Sequence, residues 1–131
     1  MQWPRPMPFF RTVARCSRLA LPLLALTAAA AESVDFNRQI LPILSDACFH
    51  CHGPDERARK AKLRLDQREG LFRTHEGVTV VAPGRPGASE LVARITSKDE
   101  DEMMPPPDAV RRLTAAEIDL LKRWVARSEE H

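Results

Sequence analysis

Apolar residues in the stretch Val34 to Ala47 fall at Phe36, Ile40, Ile43, Leu44 and Ala47. The steps of 4, 3, 1 and 3 place them on one helical face. Asp35 suits the N-cap, and Pro42 inside the pattern should kink the helix or restart it. Leu63 and Leu65 alternate with Arg64 and Asp66, which predicts a very short strand. Gln67 to Phe72 has room for one or two helical turns, and Val78 to Val81 is rich in β-branched residues. Pro83-Gly84-Arg85-Pro86-Gly87 reads as a tight turn. Leu91, Val92 and Ile95 then share a helical face, and Met103 to Pro107 should run extended because of its three prolines. The last helix is the clearest. Thr114-Ala115-Ala116-Glu117 is a capping box, followed by Ile118, Leu121, Trp124 and Val125 at helical spacing. Asp119 and Arg123 form a favourable i,i+4 pair on its outer face.

The N-terminus obeys a different logic. Arg5, Arg11, Arg15 and Arg18 stand without an acidic neighbour, and Leu19 to Ala31 is an apolar run. That run is short of the roughly 20 residues a membrane span needs. It ends in Ala29-Ala30-Ala31, an A-x-A cleavage pattern. Residues 1–31 are therefore expected to be an export signal removed near Ala31, leaving residues 32–131 as one periplasmic domain. The alternative is an uncleaved N-terminal anchor. With cleavage, membrane contact is transient, confined to export.

Removing the signal changes the composition. The whole chain carries a formal charge of +2, with 20 basic and 18 acidic residues. The mature 100 residues keep 16 basic and 18 acidic side chains, a net charge of −2. This balance excludes a strongly basic nucleic-acid binder. Cys48 and Cys51 are the cysteines that remain, and the aromatic residues are Phe36, Phe49, Phe72 and Trp124. A domain of this size has a marginal core. Something besides side chains is expected to fill it.

Cys48-Phe49-His50-Cys51-His52 supplies a candidate. Two thiols about one helical turn apart, followed at once by histidine, are the attachment pattern of c-type haem. Each thiol adds to one vinyl group of the macrocycle, and the histidine presents a nitrogen to iron. The competing readings are a thioredoxin-like redox pair, which needs a βαβ context not visible here, a disulfide, and a zinc site completed by His50, His52 and His75. For a sixth iron ligand the mature chain offers Met103 and Met104, with His75 as competitor. Met104 is preferred, because the proline after it stiffens its backbone.

Taken together, VDFNRQILPILSDACFHCHGPDE, KLRLDQREG, VVAPGRPGASELVARI, DEMMPPP and LTAAEIDLLKRWV resemble the planctomycete-type cytochrome c domain, in order, over nearly all of residues 33–126. The resemblance implies an all-α, cytochrome c-like small helical domain around one covalently bound haem c, with long irregular proline-rich loops. It places haem on Cys48, Cys51 and His52, and aligns the family's Met-Pro-Pro with Met104-Pro105-Pro106. Met103 then falls where arginine is common. In the family this domain usually opens a longer chain, whereas here the sequence stops at His131. A stand-alone domain, a shortened gene and one part of a split system are all compatible with that.

The expected function is one-electron transfer in an exported compartment, with an unidentified redox protein as partner and no catalytic residue. The alternatives are a haem-bearing relay subunit of a larger oxidoreductase, and a binding module that metal or haem merely stabilises. Phe36, Ile40, Leu44, Leu91, Ile95, Leu121 and Trp124 are candidates for the pocket or for helix contacts. The cations from Arg57 to Arg64 and the acidic run Asp99 to Glu102 are candidate docking patches or ordinary solvated loops.

Overall fold

The computed structural model describes residues 33–127, and the expected export signal lies outside them. Asp35 caps as its position requires. Its Oδ1 accepts the Arg38 N–H at 3.0 Å, and Gln39 Oε1 accepts the Asp35 N–H at 2.8 Å. A π-helical turn, Phe36–Ile40, leads directly into α1, Leu41–Ala47. Pro42 lies in the first turn of α1, where no intrahelical donor is needed. It restarts the helix instead of breaking it. Ile40 and Leu44 are fully buried by this run.

Helix α2, Phe49–His52, follows after the single residue Cys48. The Cys48 carbonyl accepts the N–H groups of Cys51 at 3.1 Å and His52 at 2.8 Å. Gly53 then ends the helix. A Cβ there would stand 2.3 Å from the Phe49 carbonyl oxygen, so only glycine allows this close exit.

The strand expected at Leu63 and Leu65 does not form. The chain folds back onto α2 instead, with Lys60 N–H donating to the Cys51 carbonyl at 2.7 Å and Leu65 N–H to the His52 carbonyl at 2.8 Å. Ala61 and Lys62 adopt positive φ (52° and 50°), which no strand contains. These hydrogen bonds to α2 take the place of a strand partner.

Helix α3, Arg68–Leu71, precedes a two-stranded antiparallel ribbon, the one departure from an all-α fold among the described residues. Strands β1, Thr74–His75, and β2, Val78–Thr79, pair Thr74 with Thr79 and His75 with Val78. Glu76 and Gly77 between them both have positive φ, as a type I′ hairpin turn demands. Val80, Val81 and Ala82 then enter the core. Buried Ser89 closes the following turn: its Oγ accepts the Ala82 N–H at 2.8 Å and donates to the Arg85 carbonyl at 3.0 Å.

Helix α4, Glu90–Thr96, buries Leu91, Val92 and Ile95, the predicted face. The next loop corrects an expectation. Residues Met103 to Pro107 are not extended throughout, because the backbone bends at Met104 and Pro105, joined by a cis peptide. Helix α5, Ala115–Arg127, starts with the predicted capping box. Glu117 N–H donates to Thr114 Oγ1 at 3.2 Å, and Thr114 N–H donates to Glu117 Oε2 at 2.9 Å. Leu121, Trp124 and Val125 face inward, and the Trp124 and Phe36 rings meet at 5.4 Å between centroids. The two ends of the domain thus share one core.

Candidate functional site

Each predicted site residue is placed by a short local device. The helical turn at Cys48–His52 brings both thiols and the imidazole to one wall of a cavity of about 1050 Å³. This is just above the roughly 300–1,000 Å³ usual for small-molecule sites. Leu63 and Leu65 from the folded-back loop, Val78 and Val80 from the ribbon, and Leu91 and Ile95 from α4 form apolar walls. Met104, Pro105 and Pro106 supply a further part of the wall. Of the predicted apolar set, Leu91 and Ile95 line the cavity. Ile40, Leu44, Leu121 and Trp124 are core, with Phe36 packed against it.

The two methionines separate. Met104 lines the cavity with Cys48, Cys51 and His52. Met103 does not. Its Sδ accepts a hydrogen bond from Arg112 Nη2 at 3.1 Å, and it lines a small pocket of about 40 Å³ that Met104 also borders. His75 and His50 also line the large cavity, both from exposed positions.

Burial sets the chemistry of the motif. The Cys48 thiol is pushed up to about 11, chiefly by burial. The nearby Arg111 charge opposes that shift and Cys51 adds to it. Burial also lowers the His52 imidazole below its ordinary range, against an opposing backbone contact at Lys60, so the ring is held neutral and its lone pair is available. The buried Nδ1 of His52 has no hydrogen-bond partner. Both cysteines are free thiols, so the disulfide reading is not realised here. Among the described residues no three His, Cys, Asp or Glu side chains gather to hold a metal ion, and a structural zinc site needs four ligands.

These features fit a haem. The donor set is two free thiols and a neutral imidazole, with a thioether lining the same cavity. Among the described residues the exposed large apolar side chains are Val78 at 48%, Met104 at 37% and Val110 at 106%, and all three line this cavity. An apolar body seated there would have them at its border.

Several wall residues were not legible as such. The Glu76-Gly77 turn between Thr-rich flanks was the available signal for the ribbon that carries His75 and Val78. Arg73, Arg94 and Arg111 also line the cavity, and nothing local in the sequence marks them. The predicted basic cluster is partly spent on structure. Arg59 donates to the carbonyls of Gly53 and Pro54 at 3.0 and 2.9 Å, and Arg64 pairs with Asp66. Among the described residues no ion pair links that cluster to Asp99–Glu102.

No curated protein and no solved structure matches the chain. A family match exists, and it starts at the first cysteine of the motif and runs past the methionine on the cavity wall. Residues 48–108, the stretch that builds most of the cavity, match the family model described as planctomycete cytochrome C.

Proposed function

We propose that this chain is an exported one-electron carrier holding one haem c. Cys48 and Cys51 would anchor it through thioethers, and His52 and Met104 would ligate its iron. The observation that carries the reading is the convergence of these four side chains on a single, mostly apolar cavity. When bound, the haem supplies a one-electron iron couple whose potential depends on axial ligands and burial.

The polypeptide's own part follows from the geometry. Helix α2 holds the two thiols one turn apart, and burial keeps the His52 ring unprotonated as a donor. Leu63, Leu65, Val80, Leu91 and Ile95 give the cavity apolar walls against which the flat ring would pack. Were His52 and Met104 both to ligate the iron, no coordination site would be left open for oxygen, which favours electron transfer over oxygen chemistry. Removal of residues 1–31 would deliver the domain to the periplasm, with a separate redox protein as partner. No helix among the described residues is long and apolar enough to cross a membrane.

The test is expression with a c-type maturation system, followed by denaturing electrophoresis with haem staining and a pyridine haemochrome spectrum. The wild-type chain should keep its haem when denatured, and Cys48→Ala/Cys51→Ala should lose it. Processed material that is colourless, or that carries zinc at those sulfurs, overturns the reading.

A further inference from the structure

The cavity wall contains three guanidinium groups, and they are not equivalent. Arg94 is engaged: its Nε donates to Glu90 at 2.6 Å and its Nη1 to the Glu102 carbonyl at 3.3 Å. Arg111 has an orphaned donor too, its buried Nη1, but its charge is balanced by Glu117, its ion-pair partner. Arg73 differs from both. Its Nη1 donates to the Lys62 carbonyl at 3.1 Å, a neutral acceptor. Its Nε is buried with no acceptor, and among the described residues it makes no ion pair.

Such a group is costly to leave unmatched. A guanidinium stays charged at any physiological pH, so it cannot escape by losing its proton. A buried N–H without an acceptor carries its full desolvation penalty. The side chain is also anchored independently of any occupant. The Arg73 carbonyl accepts the Val80 N–H at 3.0 Å, next to the β1–β2 ribbon, and Nη1 is tied to Lys62. The guanidinium, with donors beyond the one that Lys62 takes, is therefore held in the wall.

We propose that Arg73 binds a propionate carboxylate of the haem. This rests on the haem reading above. The propionates are the anionic part of an otherwise apolar ring, and a carboxylate is the acceptor that a guanidinium N–H matches best, through a short, charge-assisted hydrogen bond. The contact orients the ring in its cavity. It would also keep a positive charge near the ring, favouring the reduced state.

The test compares Arg73→Gln and Arg73→Lys with Arg85→Gln, an exposed arginine absent from the cavity wall. All are produced with c-type maturation. Haem content per chain should be unchanged, because the thioethers hold the ring. In R73Q the propionate bending band of the resonance Raman spectrum should shift and the midpoint potential should fall. R73K should recover the potential, since it keeps the charge. R85Q should match wild type in both. If R73Q does not mature, R73K carries the test alone: its band must still move, because an ammonium cannot reproduce guanidinium geometry. Haem-loaded variants with an unchanged band and potential overturn this proposal and leave the haem reading standing. A wild-type chain that carries no haem overturns both.

Discussion

The Met104 N–H donates to the Arg94 carbonyl at 3.0 Å, tying the proline-rich loop to helix α4. The Arg94 side chain adds a second tie, through Nη1 to the Glu102 carbonyl. One residue thus holds the loop on both sides of Met103. Arg94→Ala removes the side-chain tie and leaves the backbone one. In the haem-loaded protein it should weaken the long-wavelength sulfur-to-iron band and speed the binding of added cyanide or imidazole, while haem content stays the same. Ligand-binding rates indistinguishable from wild type would show that the backbone bond suffices.

Met103 and Met104 are adjacent, yet they face different surroundings. Met103 is held by Arg112, and Met104 borders the cavity. Met104→Ala should abolish the sulfur-to-iron band and lower the reduction potential, because a thioether ligand raises it. Met103→Ala should leave the band in place. The reverse pattern would reassign the ligand. Visible absorption spectra and potentiometric titration of the two variants decide it.

Legibility in the sequence followed the range of the interactions. Capping at Asp35 and Thr114 depends on partners three or four residues away, and both appear as read. The Cys48–His52 turn is equally local. Pro42 also behaves by a local rule, since the first turn of a helix needs no donor from it. Leu63 and Leu65 did not follow their alternation. Their loop is directed by the carbonyls of Cys51 and His52, and alternation alone supplies no partner strand. Arg73 reaches the cavity wall only through the path of the chain, so no motif contains it. The contact of Trp124 with Phe36 spans the whole domain and was accessible only through the apolar faces of two separate helices.

That contact makes Trp124 the main aromatic anchor of the core. It is 2% exposed. Trp124→Ala should lower the stability of the haem-loaded protein by about 3–5 kcal/mol, the usual range for emptying a buried aromatic site. Lys122→Ala, on the exposed face of the same helix, should change it by less than about 0.5 kcal/mol. Guanidinium denaturation followed by far-ultraviolet circular dichroism measures both. A Trp124 effect no larger than the Lys122 effect would show that α5 is not part of the cooperative core.

Acid should loosen the start of helix α5. The Glu117 carboxyl lies below its ordinary value of 4.5, first because the Thr114 backbone N–H bonds to it and also because Arg111 pairs with it, against opposing burial. Its folded value is thus depressed relative to the unfolded chain. The stabilisation is complete above about 4.5 and disappears as pH falls through the lower, folded value. Glu117→Gln keeps the shape and removes the charge. The difference in Tm between wild type and this variant should be largest near neutrality and shrink steadily below pH about 4. A difference independent of pH from 7 to 3 would place the effect in hydrogen-bond geometry rather than in charge.

Removing the haem tests the most general consequence of the architecture. A wall that includes Leu63, Leu65, Val80, Leu91 and Ile95 faces a cavity of about 1050 Å³. Without an occupant those side chains lose packing partners on one side, and a domain of about 100 residues has little reserve to offset the loss. The packing of Phe36, Leu44, Leu121 and Trp124 lies beside the cavity, yet it shares α4 and the loop after α2 with it. The core is therefore not divisible into a filled half and an independent half. A ligand that binds only the folded state adds its binding energy to folding, and thioether bonds at Cys48 and Cys51 would prevent its release. Cys48→Ala/Cys51→Ala, prepared without haem, should therefore show no cooperative thermal transition. Trp124 is the one tryptophan outside residues 1–31, so its emission reports this directly in the processed chain. It should have the red-shifted emission of an indole in water at every temperature. A sigmoidal melt with blue-shifted emission at low temperature would mean that the polypeptide builds its core alone and that the prosthetic group only occupies it.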